Sequence, residues 1–103
     1  MSGPAETIYW AYAFFPGMTP ALATGIVATA NRLGANPYAL ANLIRAESQF
    51  LPSITNPKNL DLSDASAPGS VGLLQFRNAT AARMGTTLLA LSKMTALQQL
   101  VYV

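Results

Sequence analysis

"NPYALANLIRAESQFLP", residues 36–52, reads as a helix marked at both ends. Asn36 offers a side-chain oxygen to the first free backbone N–H groups, Pro37 presets the first helical residue, and Pro52 bars continuation. At 3.6 residues per turn, Leu40, Leu43, Ile44, Phe50 and Leu51 fall within an arc of about 120°. Glu47, one of only two glutamates in the chain, sits near the middle of that arc, and Asn42, Arg45 and Gln49 take the other side. The wheel therefore predicts a carboxylate among core aliphatics. Loss of hydration disfavours the charged form, and a carboxyl kept neutral in this way can act as a general acid. The competing reading puts Glu47 at the rim of the apolar face, its stem packed and its head in water.

The same punctuation recurs on either side. "PAETIYWAYAFF", residues 4–15, reads as a short helix stopped by Pro16-Gly17. Thr19-Pro20 is an N-cap followed by proline at the first helical position, and Gly34 closes the helix that starts there. Residues 52–70 form an irregular connection rich in Pro, Ser, Asn and Asp, a length associated with functional loops. It has room for a small β-hairpin, although no strand alternation is visible. Asn78 reads as the cap of a short helix ending at Gly85. Thr95-Ala96-Leu97-Gln98 fits a capping box, and the helix it opens is cut at Val103. The expected class is mainly α, with one long loop or small hairpin. The expected organisation is an N-terminal apolar segment, 1–18, and one domain, 19–103, incomplete at its C-terminal end.

Composition narrows the chemistry. The 103 residues include no Cys and no His, which removes thiol nucleophiles, His-based triads and the usual zinc and haem ligands. No metal or other cofactor is therefore expected. Six basic against four acidic side chains give +2, too little and too scattered for a nucleic-acid footprint. Charged residues make up only 10%, against roughly 25% in ordinary soluble domains, which fits a chain packed into a larger assembly. From Thr7 to Asn31 nothing is charged, yet Pro16, Gly17 and Pro20 break the run below the ~20 apolar residues of a membrane span. "MSGPAE" lacks the basic region of a signal peptide.

"AESQF" at 46–50, "GSVGLLQF" at 69–76 and "TAARMG" at 80–85 occur in one order and spacing. Together they resemble the soluble lytic transglycosylases and goose-type lysozymes, whose pattern is a helix ending in Glu-Ser, a loop, and Gly-x-x-Gly-Leu-Met/Leu-Gln. The agreement runs from about Asn36 to Val103. The resemblance implies a lysozyme-like helical domain acting on peptidoglycan, with Glu47 as catalytic acid/base. It implies that Ser48 steadies the carboxyl or nearby backbone, and that Gly72, Leu74, Gln75 and Phe76 line the substrate groove. The residues allow this, because glycine lets backbone approach a ligand and a glutamine amide both donates and accepts. Equally, Gly72 reads as a tight turn, Leu73 and Leu74 as core, and Gln75 as a backbone cap.

Most glycosidases use two carboxylates, and the candidates for a second one are Asp61 and Asp64. Loop aspartates are commonly solvated turn formers. In the transglycosylase pattern one Glu suffices: it protonates the glycosidic oxygen of a MurNAc-GlcNAc β-1,4 linkage, then takes a proton from the C6 hydroxyl that closes a 1,6-anhydro ring. Water positioned by Asp61 or Asp64 would give hydrolysis instead. The family's catalytic domain continues further, with a Tyr-containing motif to which Tyr102 is not readily equated. The expected partners are a glycan strand and other virion or tail proteins. The expected location is a phage particle acting at the bacterial wall, and the alternative is a non-catalytic virion component on a lysozyme-like scaffold.

Overall fold

The computed structural model describes residues 3–103. Met1 and Ser2, which begin the segment read as 1–18, lie outside them. In chain order the elements are α1 (Gly3–Tyr12), α2 (Pro20–Leu33), α3 (Pro37–Ser48), β1 (Thr55–Asn56), β2 (Ser70–Val71), β3 (Phe76–Arg77), α4 (Asn78–Arg83), α5 (Leu88–Ser92) and α6 (Ala96–Leu100). The protein is mainly α with a small antiparallel sheet, as the patterning predicts. No described helix is long and apolar enough to cross a membrane.

The caps do what their chemistry dictates. The Thr19 hydroxyl accepts from Leu22 N–H at 3.0 Å, and Gly34 closes α2 at φ 68°. Asn36 Oδ1 accepts from the N–H groups of Tyr38 and Ala39 at 2.8 and 3.2 Å. Both halves of the Thr95–Gln98 capping box form. One expectation is corrected. Asn78 does not cap α4: Arg77 holds the cap position without a side-chain bond, and Asn78 is the first helical residue. Its amide nitrogen instead donates to Ala67 O at 3.0 Å, tying the long loop to α4. A further helix, α5, follows, with the Thr87 hydroxyl accepting from Ala90 N–H at 3.1 Å.

The end of α3 departs most from the wheel. The helix stops at Ser48, four residues before Pro52, because Gln49 and Phe50 both adopt left-handed backbone, at φ 53° and 66°. Phe50 and Leu51 therefore leave the helical projection. The face that α3 buries is Leu40, Ala41, Ile44 and Ser48, centred roughly 70° round the axis from Glu47. Two of those four residues, Ala41 and Ser48, are small. Leu43 is 47% exposed and Glu47 is exposed too. Burial of the Glu47 carboxyl among aliphatics is thus overturned: the side chain is exposed.

Helices α1, α2 and α3 enclose one apolar cluster that includes Ile8, Leu22, Ile26 and Ile44 together with Phe50, Leu73 and Leu100. Phe50 anchors its lower end, stacking at tilted or edge-on angles on Tyr12 and Phe15 with centroids 5.1 and 5.5 Å apart. The bend after α1 rests on the same place: any side chain at Gly17 would collide with the Phe50 carbonyl. A second cluster, Val71, Phe76, Ala81, Leu88 and Leu91, joins the sheet to α4 and α5. Leu74 packs against both.

The sheet order is β1-β2-β3, antiparallel throughout, with Asn56 opposite Ser70 and Val71 opposite Phe76. The stretch between β1 and β2 is a chain of tight turns, with Leu60 N–H bonded to Pro57 O, Asp64 N–H to Asp61 O and Ala67 N–H to Asp64 O. Phe50→Ala removes the ring that joins α1 to the end of α3. Urea unfolding should show a loss of about 3–5 kcal/mol, and a loss under about 1 kcal/mol would mean that this corner carries little of the fold.

Candidate active site

Glu47 lies in the last turn of α3, exposed, one helical turn beyond the exposed Leu43. The nearby Arg45 does not reach for it: its Nε donates to Asn42 Oδ1 at 3.3 Å. Ser48, next in sequence, points the other way. It is buried and its hydroxyl donates to Ile44 O at 3.1 Å, so of the two roles implied for Ser48 the backbone one is realised. A back-bonded serine lets a polar residue pack in the core without an unmet hydroxyl. The contrast fixes the helix rotation, with Ser48 held inward and Glu47 turned to solvent.

The turn joining β2 to β3 is built from "GLLQ", residues 72–75. Gly72 stands at φ 92°, where other residues are strained. Its N–H donates to Ile54 O at 2.9 Å, and its carbonyl accepts from Gln75 N–H at 3.1 Å. Gln75, itself at φ 51°, turns its side chain back on the turn. Its Nε2 donates to Gly72 O at 3.0 Å and to Ile54 O at 3.4 Å, while its Oε1 accepts from Ser70 Oγ at 2.7 Å. Those bonds occupy the amide within the protein, so Gln75 serves as the backbone cap. Phe76 and Leu73 are buried core, and Leu74 is half-buried between the two clusters.

Beneath this turn lies a residue that the sequence reading passed over. Gln99, in α6, is 0% exposed. Its Oε1 accepts from Leu73 N–H at 2.8 Å, and its Nε2 donates to Pro52 O at 2.6 Å and Leu91 O at 2.9 Å. A Cβ at Gly72 would strike this amide, so the glycine is required both for its backbone angle and for the space. Only the presence of two adjacent glutamines near the end of an otherwise apolar helix hinted at it.

The site is therefore assembled through backbone. Among the described residues no hydrogen bond joins Glu47 to the turn directly. Instead Pro52 and Ile54, on the segment that leaves α3, are bonded to Gln99 and Gly72. Asp61 and Asp64 are exposed in the loop. Each accepts from the serine two residues on: Asp61 from Ser63 N–H and Oγ at 3.0 and 2.6 Å, Asp64 from Ser66 N–H and Oγ at 2.9 and 2.6 Å. The Ser66 hydroxyl and then its N–H hold the Asp64 carboxyl below the ordinary aspartate range. No cluster of His, Cys, Asp or Glu suited to a metal ion occurs among the described residues. A cleft of about 480 Å³ lies between the loop and α4–α5, lined by residues such as Leu62, Asn78, Ala82 and Leu89; none of the residues lining it belongs to the Glu47 or Gly72 set.

A helical core with a minimal three-stranded antiparallel sheet makes this a mainly α, lysozyme-like domain. The pattern of the Transglycosylase SLT domain family matches residues 25–99, and the chain belongs to that family, which acts on peptidoglycan. No curated protein and no solved structure matches it.

Two outcomes follow from the geometry. In an NMR pH titration the Asp64 carboxyl should titrate below the usual value of about 3.9. Its folded value is depressed, so its contribution to loop stability is full above about pH 4 and lost as pH falls through that folded value. Ser66→Ala should move the midpoint up, and an unmoved midpoint would remove the Ser66 hydroxyl as cause. Gly72→Ala should destabilise by at least about 1–2 kcal/mol from the left-handed backbone alone, measurable by thermal or urea unfolding.

Proposed function

We propose that this domain cleaves peptidoglycan strands as a lytic transglycosylase, with Glu47 as the single acid/base. The observation that carries the reading is the placement of Glu47: an open carboxyl on the last turn of α3, whose exit segment is hydrogen-bonded to the Gly72 turn. Glu47 protonates the glycosidic oxygen of a MurNAc-GlcNAc β-1,4 linkage as the C1–O bond breaks. The resulting carboxylate takes the proton of the MurNAc C6 hydroxyl, whose oxygen bonds to C1 and closes the 1,6-anhydro ring. The glutamate ends as it began, and no water is consumed.

An exposed acid suits a polymeric substrate. A strand laid across α3 reaches Glu47 directly, covers the neighbouring Leu43, and excludes water from the carboxyl, which favours its proton-donating form. A single glutamate is supported further by the two loop aspartates, each of which commits one carboxylate oxygen to its own turn. Delivery by a phage particle belongs to the same proposal. It is supported by the 10% charge content and by Trp10 and Phe14, 68% and 79% exposed, which are suited to contacts within an assembly. These aromatics also favour the second reading, a non-catalytic virion component.

Mass spectrometry of digested peptidoglycan separates the readings. Anhydro-muramyl ends are expected; reducing ends would mean hydrolysis, and no release would favour the structural role. Glu47→Gln should retain the fold by circular dichroism and lose at least about 100-fold in wall-clearing rate. An unchanged rate refutes the assignment.

A further inference from the structure

We infer that Gln99 is a positioning residue for this site, and the inference rests on the reading of Glu47 and the Gly72 turn given above. One buried amide joins three segments that are far apart in sequence: the exit from α3 at Pro52, the floor turn at Leu73, and the C-terminal end of α5 at Leu91. Pro52 follows Glu47 by five residues, and Phe50 between them is locked in the main cluster. Fixing the Pro52 carbonyl and the Leu73 amide on the same side chain, alongside the bonds that Gly72 and Gln75 make to Ile54, therefore holds the spacing between the acid's helix and the turn that supports the sugar. Leu73 N–H is turned into the protein interior, where no water replaces a lost acceptor. The complementary device is Gly72, whose missing side chain leaves the volume that the Gln99 amide fills.

Such a residue touches neither the cleaved bond nor Glu47. Its removal leaves the acid in place and misplaces the floor, and displacements of about 1 Å between reacting groups cost up to ~100-fold in rate. The test is Gln99→Met, close in shape and lacking all three bonds, compared with Ile26→Val, a core change in α2 remote from the amide. The expected result is a fall in kcat of about 10- to 100-fold with KM changed less than about threefold. Exchange of the Leu73 amide hydrogen should accelerate at least about tenfold beyond that of the α2 amides. Ile26→Val, compared at the same margin of stability, should retain kcat.

Equal losses of kcat in the two variants at matched stability would reduce Gln99 to a core residue and overturn the inference. A second measurement needs no variant: in the unaltered protein the Leu73 amide should exchange as slowly as the α2 core, and loop-like exchange also overturns it. If the unaltered protein releases no fragments, the transglycosylase reading fails by itself. Gln99 is then judged on the exchange of Leu73 alone, where local acceleration in Gln99→Met sustains its hold on the turn and unchanged exchange ends it.

Discussion

The amide of Gln99 packed into the space beneath Gly72 is the constraint on which the site depends. Two requirements meet there. The turn from β2 to β3 needs a positive φ at residue 72, and the interior needs a partner for Leu73 N–H; glycine meets the first and, having no Cβ, admits the side chain that meets the second. The same amide donates to carbonyls at the exits of α3 and α5. A two-residue strand has too few ladder bonds to hold a position by itself, so the sheet here is located by its side-chain ties. Gln75 completes the arrangement from above, binding Gly72 O, Ile54 O and Ser70.

The rotation of α3 is the second determinant. The inward side of the helix is made of Leu40, Ala41, Ile44 and Ser48, two large aliphatics and two small residues. Leu43 is left outside as a result, and Glu47 with it. Dry placement would have given the carboxyl a permanent desolvation. The observed placement leaves exclusion of water from the carboxyl to whatever covers the helix end.

Helix starts were legible because they are local. Thr19-Pro20, Asn36-Pro37 and the Thr95–Gln98 box each specify hydrogen bonds within three residues, and each forms. The family pattern was legible from short motifs in order, and the family match over residues 25–99 agrees with it. What escaped was non-local. The end of α3 is set by two left-handed residues, neither of them glycine, held by the packing of Phe50. The strands are two residues long and give no alternation. Gln99 bonds to a residue 26 positions away in sequence, and no pattern along the chain announces that.

The long loop shows how a polar segment can be ordered without a core. Asp61 and Asp64 each begin a turn and accept from a serine two residues on, and Asn78 pins the following backbone at Ala67. One oxygen of each carboxylate, Oδ1, is thereby used as the acceptor that bends the chain. The two aspartates thus serve the fold of the loop, and Glu47 stands exposed on the last turn of α3.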